Sequence, residues 1–233
     1  MRVLTWNCNG AFRKKYHLLD SFEADILVIQ ECEDPQRSSE HHYQNYASNH
    51  LWEGLNKSKG IGVFAKDNIL LNKVELNLEP LELFLPCQIN NEIPLLATWT
   101  KQANSPNFRY IGQLWKLLQI RKSFLDNPQA MLIGDLNSNK QWDEWDRWWN
   151  HSDVVRELSE LGLNSGYHEF FNEAQGEETK STLYLQRNLN KNYHIDYGFF
   201  GKHWKLNLVQ VGEADSWLDH SDHMPMLFEV VSQ

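Results

Sequence analysis

The sequence is poor in cysteine and has no long apolar run. Its three cysteines, Cys8, Cys32 and Cys87, have neither zinc-site nor disulfide spacing and are typical of small buried side chains near strand ends. The start of the chain, MRVLTWNCNG, contains no apolar signal core, and no segment approaches the length of a membrane span. We therefore predict a protein of the reducing cytoplasm with no membrane partner.

Positive charge is also scarce. Lys and Arg total 22 against 31 Asp and Glu, which gives a net charge of −9 and a pI of about 5.5. The basic field over the whole surface that is typical of many nucleic-acid-binding proteins is therefore absent. Clustered catalytic carboxylates also make a protein acidic, so the charge weakens a nucleic-acid assignment without excluding it.

Internal repeats, low-complexity segments and Pro/Gly/Ser-rich linkers are absent from the sequence. A chain of 233 residues that is 41% hydrophobic is long and apolar enough to bury a sizeable core. We predict one domain over residues 1–233, and we expect a monomer.

Short apolar runs predict strands, and apolar residues at helical spacing predict a few helices. The predicted strands are VLTW (3–6), DILVIQ (25–30), GIGVFAK (60–66), ILLNKVEL (69–76), IPLLATWT (93–100), AMLIGD (130–135), YHIDYGFF (193–200) and PMLFEVV (225–231). The predicted helices cover residues 13–22, 109–125 and 153–161, with Ser152 as the cap of the last and Gly162 as its end. Strands outnumber helices without strict alternation, so the pattern favours an α/β protein with mixed sheets packed face to face and helices outside.

Polar residues follow or lie within several predicted strands, and strand ends at one edge of a sheet converge in space. These residues are Asn7, Glu31, Asp135, Asn137, Asp196, Asp222 and His223. Taken singly, each is typical of a turn residue, a helix cap or a solvated acid. Taken together, and without a P-loop, a GxSxG or an HExxH motif, they favour phosphoryl transfer to water.

The acidic residues predict a magnesium site, because Mg²⁺ prefers carboxylate oxygens and keeps water as most of its ligands. Glu31 is the natural ligand, with Asn7 or Asp222 nearby. A metal held there polarises a phosphate oxygen and steadies the leaving oxygen.

The remaining residues have predicted catalytic roles. His223 can donate to the scissile phosphate or exchange a proton, and Asp196 is the candidate acid that fixes its tautomer and raises its pKa. Asp135 can orient or deprotonate the attacking water. The amides of Asn7 and Asn137 can donate hydrogen bonds to the developing phosphorane oxygens.

The motifs that carry these residues resemble those of the endonuclease/exonuclease/phosphatase superfamily. They are, in chain order, TWNCNG, IQECE, KGIGVFAK, IGDLNSN, HIDYGFF and HSDHMPM, and the resemblance runs from residue 5 to residue 226. It implies a DNase I-like four-layer α-β-β-α sandwich of two mixed sheets and a phosphoesterase dependent on Mg²⁺ or Mn²⁺. The family's site positions fall on Asn7, Glu31, Asp135, Asn137, Asp196, Asp222 and His223.

One position departs from the family pattern. The family usually places a His or Tyr after the strand that here reads LLATWTK, and Trp99 occupies that position. An indole has one N–H and no acceptor, so it cannot relay a proton. Packing is the simpler role for Trp99, and a replacement donor could come from Lys101, Tyr110 or His168.

The substrate side is less defined. Trp142, Trp145 and Trp149 have the spacing of one helix face, which predicts either a platform for stacked bases or a packing stripe. Packing is favoured because the intervening acids Asp143, Glu144 and Asp146 would repel a nearby phosphate backbone. The candidate substrate contacts are Arg13, Lys14, Tyr110, His168, Trp142 and Tyr184, of which His168 and Tyr184 belong to a predicted long loop over residues 166–187.

The leading hypothesis is a Mg²⁺-dependent phosphodiesterase that cuts nucleic acid. DNA is the expected substrate, and the enzyme would be an endonuclease or exonuclease with a role in repair. The alternative is a phosphodiesterase or phosphatase for a small or lipid-linked phosphate, which the net negative charge favours. A binding module that keeps the fold without the chemistry ranks last, because only the Trp99 position departs from the expected site.

Overall fold

The protein is an α/β molecule built on two mixed sheets. The computed structural model describes residues 1–102, 105 and 107–233. Within these residues the strands are, in chain order, β1 (Arg2–Asn7), β2 (Ile26–Cys32), β3 (His50–Asn56), β4 (Lys59–Ala65), β5 (Leu71–Lys73), β6 (Phe84–Ile89), β7 (Ile93–Trp99), β8 (Met131–Asp135), β9 (Leu163–Ser165), β10 (Leu183–Tyr184), β11 (Asn192–Tyr193), β12 (Asp196–Gly201), β13 (Trp204–Val211) and β14 (Met226–Ser232). The helices described are α1 (His41–Tyr46), α2 (Ile111–Arg121), α3 (His151–Glu160), α4 (Gly166–Phe171) and α5 (Ala214–Trp217). Short 3-10 helices cover Phe12–Lys14, Tyr16–Phe22, Pro35–Arg37, Lys122–Phe124, Lys140–Trp142 and Leu185–Arg187.

Each of the two large sheets has six strands within the described residues. The spatial order is β13-β14-β1-β2-β4-β3 in the first sheet and β5-β6-β7-β8-β12-β9 in the second. In each sheet one neighbouring pair is parallel, β1 with β2 and β7 with β8, and the other described pairs are antiparallel. Neighbouring parallel strands end at the same edge of a sheet. The ends of β1 and β2 therefore lie side by side in the first sheet, and those of β7 and β8 in the second.

The sheets pack face to face, and helices cover the outer faces. In β8, Met131 and Ile133 belong to the core between the sheets, whereas Leu132 belongs to a second core formed with α2 and α3. On the outer face of the first sheet, Trp6 of β1 contacts Trp217 of α5 edge to face, with ring centroids 5.2 Å apart. The predicted four-layer α-β-β-α sandwich is confirmed.

Most predicted strands are confirmed, and the missed ones have identifiable causes. The prediction for 69–76 was too long, because only Leu71–Lys73 forms a strand. Three long strands were missed: β3, β6 and β13. β3 is a partly exposed edge strand with a glycine, and β6 contains a proline, which usually argues against a strand. β13 alternates exposed and less exposed residues, so its pattern was readable.

The helix predictions need three corrections. Residues 13–22 form 3-10 turns rather than an α-helix, and α2 ends at Arg121 before a 3-10 turn. Helix α3 begins at His151, so Ser152 lies inside it and not at its cap. The first amides are instead satisfied by Asp143, which accepts from the N–H groups of His151 at 2.8 Å and Ser152 at 3.2 Å. The expected long loop over 166–187 contains α4 and β10.

None of the helices in the described part of the chain is both long enough and apolar enough to span a membrane.

Candidate active site

The strand ends meet at one edge of the sandwich, as the sequence predicts. Asn7 ends β1 and Asp135 ends β8, and side chains alternate along a strand, so Asp135 shares the inner face with Met131 and Ile133. Asp196 begins β12 and is paired in register with Asp135. The Asn7 amide crosses between the sheets and donates to Asp135 Oδ2 at 3.0 Å. The site is therefore built by both sheets.

His223 and Asp196 form a buried pair. His223 Nδ1 lies 2.9 Å from Asp196 Oδ2. The main chain of His223 is fixed by two further bonds: its carbonyl accepts from the Trp6 indole at 2.9 Å, and its N–H donates to Ser221 Oγ at 3.0 Å. Burial opposes the charged imidazole, but the Asp196 carboxylate outweighs it and raises the pKa of His223 to about 10. His223 is therefore an imidazolium at neutral pH.

Asp135 is held by three hydrogen bonds. Its Oδ2 accepts from the amides of Asn7 and Asn137, each at 3.0 Å, and its Oδ1 accepts from the main-chain N–H of Asn137 at 2.8 Å. Burial, reinforced by the charge of Asp196, raises the pKa of Asp135 to about 7. A carboxyl that titrates near neutrality is suited to exchange a proton with water.

Asn137 does not present a free amide to a substrate. Its Nδ2 donates to Asp135 Oδ2 at 3.0 Å and to the carbonyl of Thr100 at 2.8 Å, which uses both amide hydrogens inside the protein. The predicted donation to a phosphate would require one of these bonds to break. The geometry favours a role for Asn137 in positioning Asp135.

The backbone at the site has unusual conformations. Glu31 has a φ of 63° and lies where the β2–β4 register shifts, in a bulge that redirects its side chain, and Asn137 has a φ of 43°. Gly134 has a φ of 150°, and a Cβ there would overlap the backbone carbonyl of Thr98 in β7. Strained conformations of this kind concentrate at functional sites.

The predicted metal residues form an oxygen-rich set. Glu31 Oε1 lies 3.5 Å from the Asn7 amide, and Asp222 Oδ1 accepts from Asn9 at 3.2 Å. Glu31 Oε2 already faces a cation, because Lys59 Nζ lies 2.6 Å away. The carboxylates of Glu31 and Asp222 are ligands of the kind that a hard divalent ion prefers. Asn7 turns its Nδ2 toward Glu31, and its Oδ1 accepts from the main-chain N–H of Asn9 at 3.1 Å.

A second group of metal donors lies deeper in the site. Donor atoms of Asp135, Asp196 and His223 all lie within 4.8 Å of one another. Asp196 Oδ1 is buried and, among the described residues, accepts no hydrogen bond. An unsatisfied buried carboxylate oxygen is costly unless it is occupied. Because His223 is an imidazolium, only the carboxylate oxygens of Asp135 and Asp196 in this group could face a cation.

A groove of about 500 Å³ adjoins Asn137. Its aromatic lining comprises Tyr110, Trp142, Trp149 and Tyr193, and the rings of Trp142 and Tyr193 lie 5.1 Å apart. Tyr110 and Trp142, two of the predicted substrate contacts, therefore lie beside the site.

The other predicted substrate contacts lie elsewhere. Arg13 pairs with the carboxylates of Glu33 and Glu40 and does not line the groove. Lys14 is exposed to solvent. Tyr184 packs against the core, although its main-chain N–H donates to the carbonyl of Asp222 at 2.8 Å.

His168 is turned into a polar network behind the groove. Its Nε2 lies 3.0 Å from Glu178 Oε1 and its Nδ1 lies 2.7 Å from Ser165 Oγ. Glu178 Oε2 in turn accepts from Asn139 at 3.0 Å. Both ring nitrogens of His168 are therefore occupied, and the network anchors the loop that follows Asn137.

The tryptophan-rich segment is not a helix, so the predicted stripe is wrong. Only Lys140–Trp142 forms a 3-10 turn. Trp149 packs inward against Phe108, with ring centroids 6.0 Å apart, and Trp145 is 97% exposed. Trp142 and Trp149 therefore share the lining of the groove, whereas Trp145 lies in solvent.

Several site residues were not assigned a role from sequence. Ser221 and Trp6 fix the main chain of His223, and Tyr193 completes the groove. Thr182 is buried, and its Oγ1 accepts from the main-chain N–H of Asp196 at 3.0 Å. The sequence offered one clue to these residues: Tyr193 directly precedes the HIDYGFF motif, and Ser221 lies within the HSDHMPM motif.

The comparisons with known proteins agree with this architecture. A model of the Endonuclease/Exonuclease/phosphatase family matches residues 4–223. The chain is similar to the 3′ phosphatase NExo from Neisseria bound to product DNA hairpin, with 19% identity, 99% of both chains covered and a TM-score of 0.71. It is also similar to an AP endonuclease from Archaeoglobus fulgidus, with 17% identity, 100% of this chain and 99% of that chain covered and a TM-score of 0.68. A search of curated protein sequences found no match.

The chain belongs to the endonuclease/exonuclease/phosphatase family, as the sequence motifs predict. Members of this family are phosphoesterase hydrolases that include nucleases, and the chain is an enzyme of this class. Family enzymes typically depend on a divalent metal ion.

Proposed function

We propose that the protein is a Mg²⁺-dependent phosphodiesterase that hydrolyses DNA. The observation that carries this proposal is the buried His223–Asp196 pair beside Asp135, with Glu31 nearby through Asn7. Mn²⁺ is expected to replace Mg²⁺. Action as a monomer in the cytoplasm stays a prediction from the sequence.

The proposed roles follow from the protonation states. His223, as an imidazolium, donates from Nε2 to an oxygen of the scissile phosphate, and Asp196 holds the ring through Nδ1. Asp135 accepts a hydrogen bond from the attacking water and aligns it with phosphorus. Asn7 contributes an amide donor between Glu31 and Asp135, and Asn137 keeps the Asp135 carboxylate in place.

Glu31 and Asp222 are the residues that would hold the metal, and Asn7, the third predicted ligand, would first have to release the Asn9 N–H from its Oδ1. A bound Mg²⁺ would neutralise the charge that builds on the phosphate oxygens. The lysine at Glu31 and the open carboxylate oxygen of Asp196 support an oxygen-rich cation site at this edge.

The groove supports a nucleotide rather than a bare phosphate. Its volume of about 500 Å³ and its aromatic lining suit a base or a sugar beside the reacting phosphate. The similar NExo structure is described with product DNA hairpin, and the Archaeoglobus protein is an AP endonuclease. Repair of DNA ends or of abasic sites is therefore the role we favour.

A small or lipid-linked phosphate is the second candidate. The net charge of −9 disfavours a long DNA contact, and Arg13 and Lys15 use their charges inside the protein. Lys15 Nζ donates to the main-chain carbonyls of Cys8 at 2.7 Å and His220 at 2.6 Å.

A substrate panel separates these candidates. Duplex, single-stranded and abasic DNA, RNA, and small phosphodiesters are incubated with Mg²⁺, with Mn²⁺ or with EDTA. We expect metal-dependent cleavage of DNA, which Asp135→Asn, prepared identically, should abolish. Turnover of a small phosphodiester without cleavage of any nucleic acid would contradict the proposal.

A further inference from the structure

Trp99 carries two lysines on its ring. The ring centroid lies 5.9 Å from Lys59 Nζ and 5.4 Å from Lys101 Nζ. Trp99 is buried at the end of β7, in register with Asp135, so its position is fixed relative to the site. Aromatic faces attract ammonium groups, and the indole is the strongest of them. The residue that departs from the family pattern is thus a rigid support for two cations.

Lys59 contacts both the Trp99 ring and the carboxylate of Glu31. Its Nζ lies 2.6 Å from Glu31 Oε2, the shortest ion pair at the site. It begins β4, the strand beside β2, and the bulge at Glu31 turns that carboxylate toward it. The side chain of Lys59 is half exposed, so the ammonium can move without opening the core. Lys101 shares the Trp99 contact but forms no ion pair with Glu31 in the described part of the chain.

We propose that Lys59 occupies the cation position at Glu31, competes there with the divalent metal, and turns along Trp99 toward the substrate phosphate when displaced. Lys101 supplies the second ammonium to the same phosphate. The inference rests on the proposed function, because it takes Glu31 as a metal ligand.

Electrostatic repulsion would drive the replacement of the Lys59 ammonium at Glu31 by the divalent ion. An ammonium and a divalent cation repel each other at a shared carboxylate oxygen, so Lys59 must leave Glu31 Oε2 for that oxygen to serve as a ligand. The Trp99 ring offers the displaced ammonium a nearby favourable position. Two lysines on this ring would then place positive charge beside the phosphate, at the point where the family pattern expects a His or Tyr. The metal-free protein keeps Glu31 neutralised by its own lysine.

The first test is metal affinity, measured without substrate. Free Mn²⁺ is followed by electron paramagnetic resonance during titration of the wild type, Lys59→Met, Lys101→Met and Glu31→Gln. We expect Lys59→Met to bind Mn²⁺ about two- to fivefold more tightly, because an exposed ion pair that competes is lost. Lys101→Met should keep the wild-type Kd, and Glu31→Gln should bind more weakly.

The outcomes separate the two proposals. An unchanged or weaker Kd in Lys59→Met, with Glu31→Gln weakened, would overturn the competition and leave the proposed function standing. An unchanged Kd in Glu31→Gln would remove Glu31 as a ligand and overturn both the metal assignment and this inference. Thermal unfolding of the metal-free variants verifies that each is folded.

The second test is the salt dependence of DNA binding. Binding of a single-stranded oligonucleotide is measured in the Asp135→Asn background with saturating Mn²⁺. Log affinity falls as log salt rises, and each lysine variant should make this fall less steep by about 0.7. In EDTA, Lys59→Met should leave the slope unchanged, because Lys59 then stays on Glu31. Unchanged slopes for both variants in Mn²⁺ would overturn the contact with phosphate.

Discussion

The two sides of the site are built in opposite ways. On the acid side, Asp135, Asp196 and His223 are buried, and strand ends from both sheets fix them. On the groove side, Tyr110 and Trp142 are about two-fifths exposed and lie on connecting segments. The sheets therefore position the candidate catalytic side chains, whereas connecting segments supply much of the groove lining.

The difference also predicts how each side responds to substitution. Changes on the acid side disturb charges that are desolvated and paired, so their effects are large. Changes on the groove side remove exposed contacts, so they alter binding and leave the fold intact.

After the loss expected for Asp135→Asn, the largest effect is expected for Asp196→Asn. Loss of the carboxylate removes the charge that keeps His223 protonated, so the rate of DNA cleavage should fall by roughly a hundredfold to ten-thousandfold. The His223 pKa, followed by NMR in the metal-free protein, should fall from about 10 toward its ordinary value of 6.5. A variant that keeps both the rate and the pKa would contradict the paired role of Asp196.

The same pair sets a pH dependence of stability. His223 has a raised pKa in the folded state, so its stabilising contribution is complete below 6.5 and is lost as the pH rises through about 10. In Asp196→Asn this loss should be absent from the alkaline range. Urea unfolding between pH 7 and pH 10 measures the difference between the two proteins.

The next effect concerns Gly134, which lets β7 approach β8. Gly134→Ala should lower the free energy of unfolding by about 3 kcal/mol or more, because its Cβ would overlap the Thr98 carbonyl. Gly162→Ala is the matched control, since Gly162 also has a positive φ but has open space at its Cβ. That control should lose only about 1 kcal/mol. Equal losses in the two variants would rule out the steric explanation.

Glu178 tests the network behind the groove. Although burial opposes its charge, the hydrogen bonds from His168, Gly176 and Asn139 lower the pKa of Glu178 to about 2. Its stabilisation is present above pH 4.5 and is lost as the pH falls toward 2, so Glu178→Gln should cost on the order of 2 kcal/mol at pH 7 and progressively less in acid. Denaturant unfolding at several pH values measures this, and a cost that does not depend on pH would contradict it.

Two tryptophans test the groove lining, and Trp145 should show the smallest effect. Trp142→Ala should weaken single-stranded DNA binding by about 1–3 kcal/mol, because the ring lines the groove. Trp145→Ala, at a residue that is 97% exposed and does not line the groove, should change the free energy of unfolding by less than about 0.5 kcal/mol. A larger binding loss in Trp145→Ala than in Trp142→Ala would reverse the assignment.

The acid side was predictable from sequence because its residues follow local rules. An apolar strand that ends in Asn7 or Asp135 is visible in one dimension, and alternation within β8 identifies the face that Asp135 shares. The Asp196–His223 contact was also predicted, because both residues lie at strands whose ends were expected to converge and a buried acid suits the imidazole. The roles of these residues stay predictions until they are measured.

The groove side was predictable only in part, because it depends on long-range placement: Tyr110 and Trp142 were named from sequence, but Tyr193 was not. The spacing of Trp142, Trp145 and Trp149 fits a helix, yet the chain between them turns where Asp143 caps α3. The Lys59–Glu31 pair depends on the β2–β4 register and its bulge. Asn137 seemed free to contact phosphate only because its bond to Thr100 comes from another strand end.

The most direct measurement is cleavage of a labelled DNA oligonucleotide by the wild type and by His223→Ala, purified identically and assayed under single-turnover conditions with Mg²⁺ and with EDTA. We predict cleavage by the wild type with Mg²⁺ only, and a rate in His223→Ala that is lower by at least roughly a hundredfold while the fold is retained. Equal rates in the two proteins, or cleavage that persists in EDTA, would contradict the proposed active site.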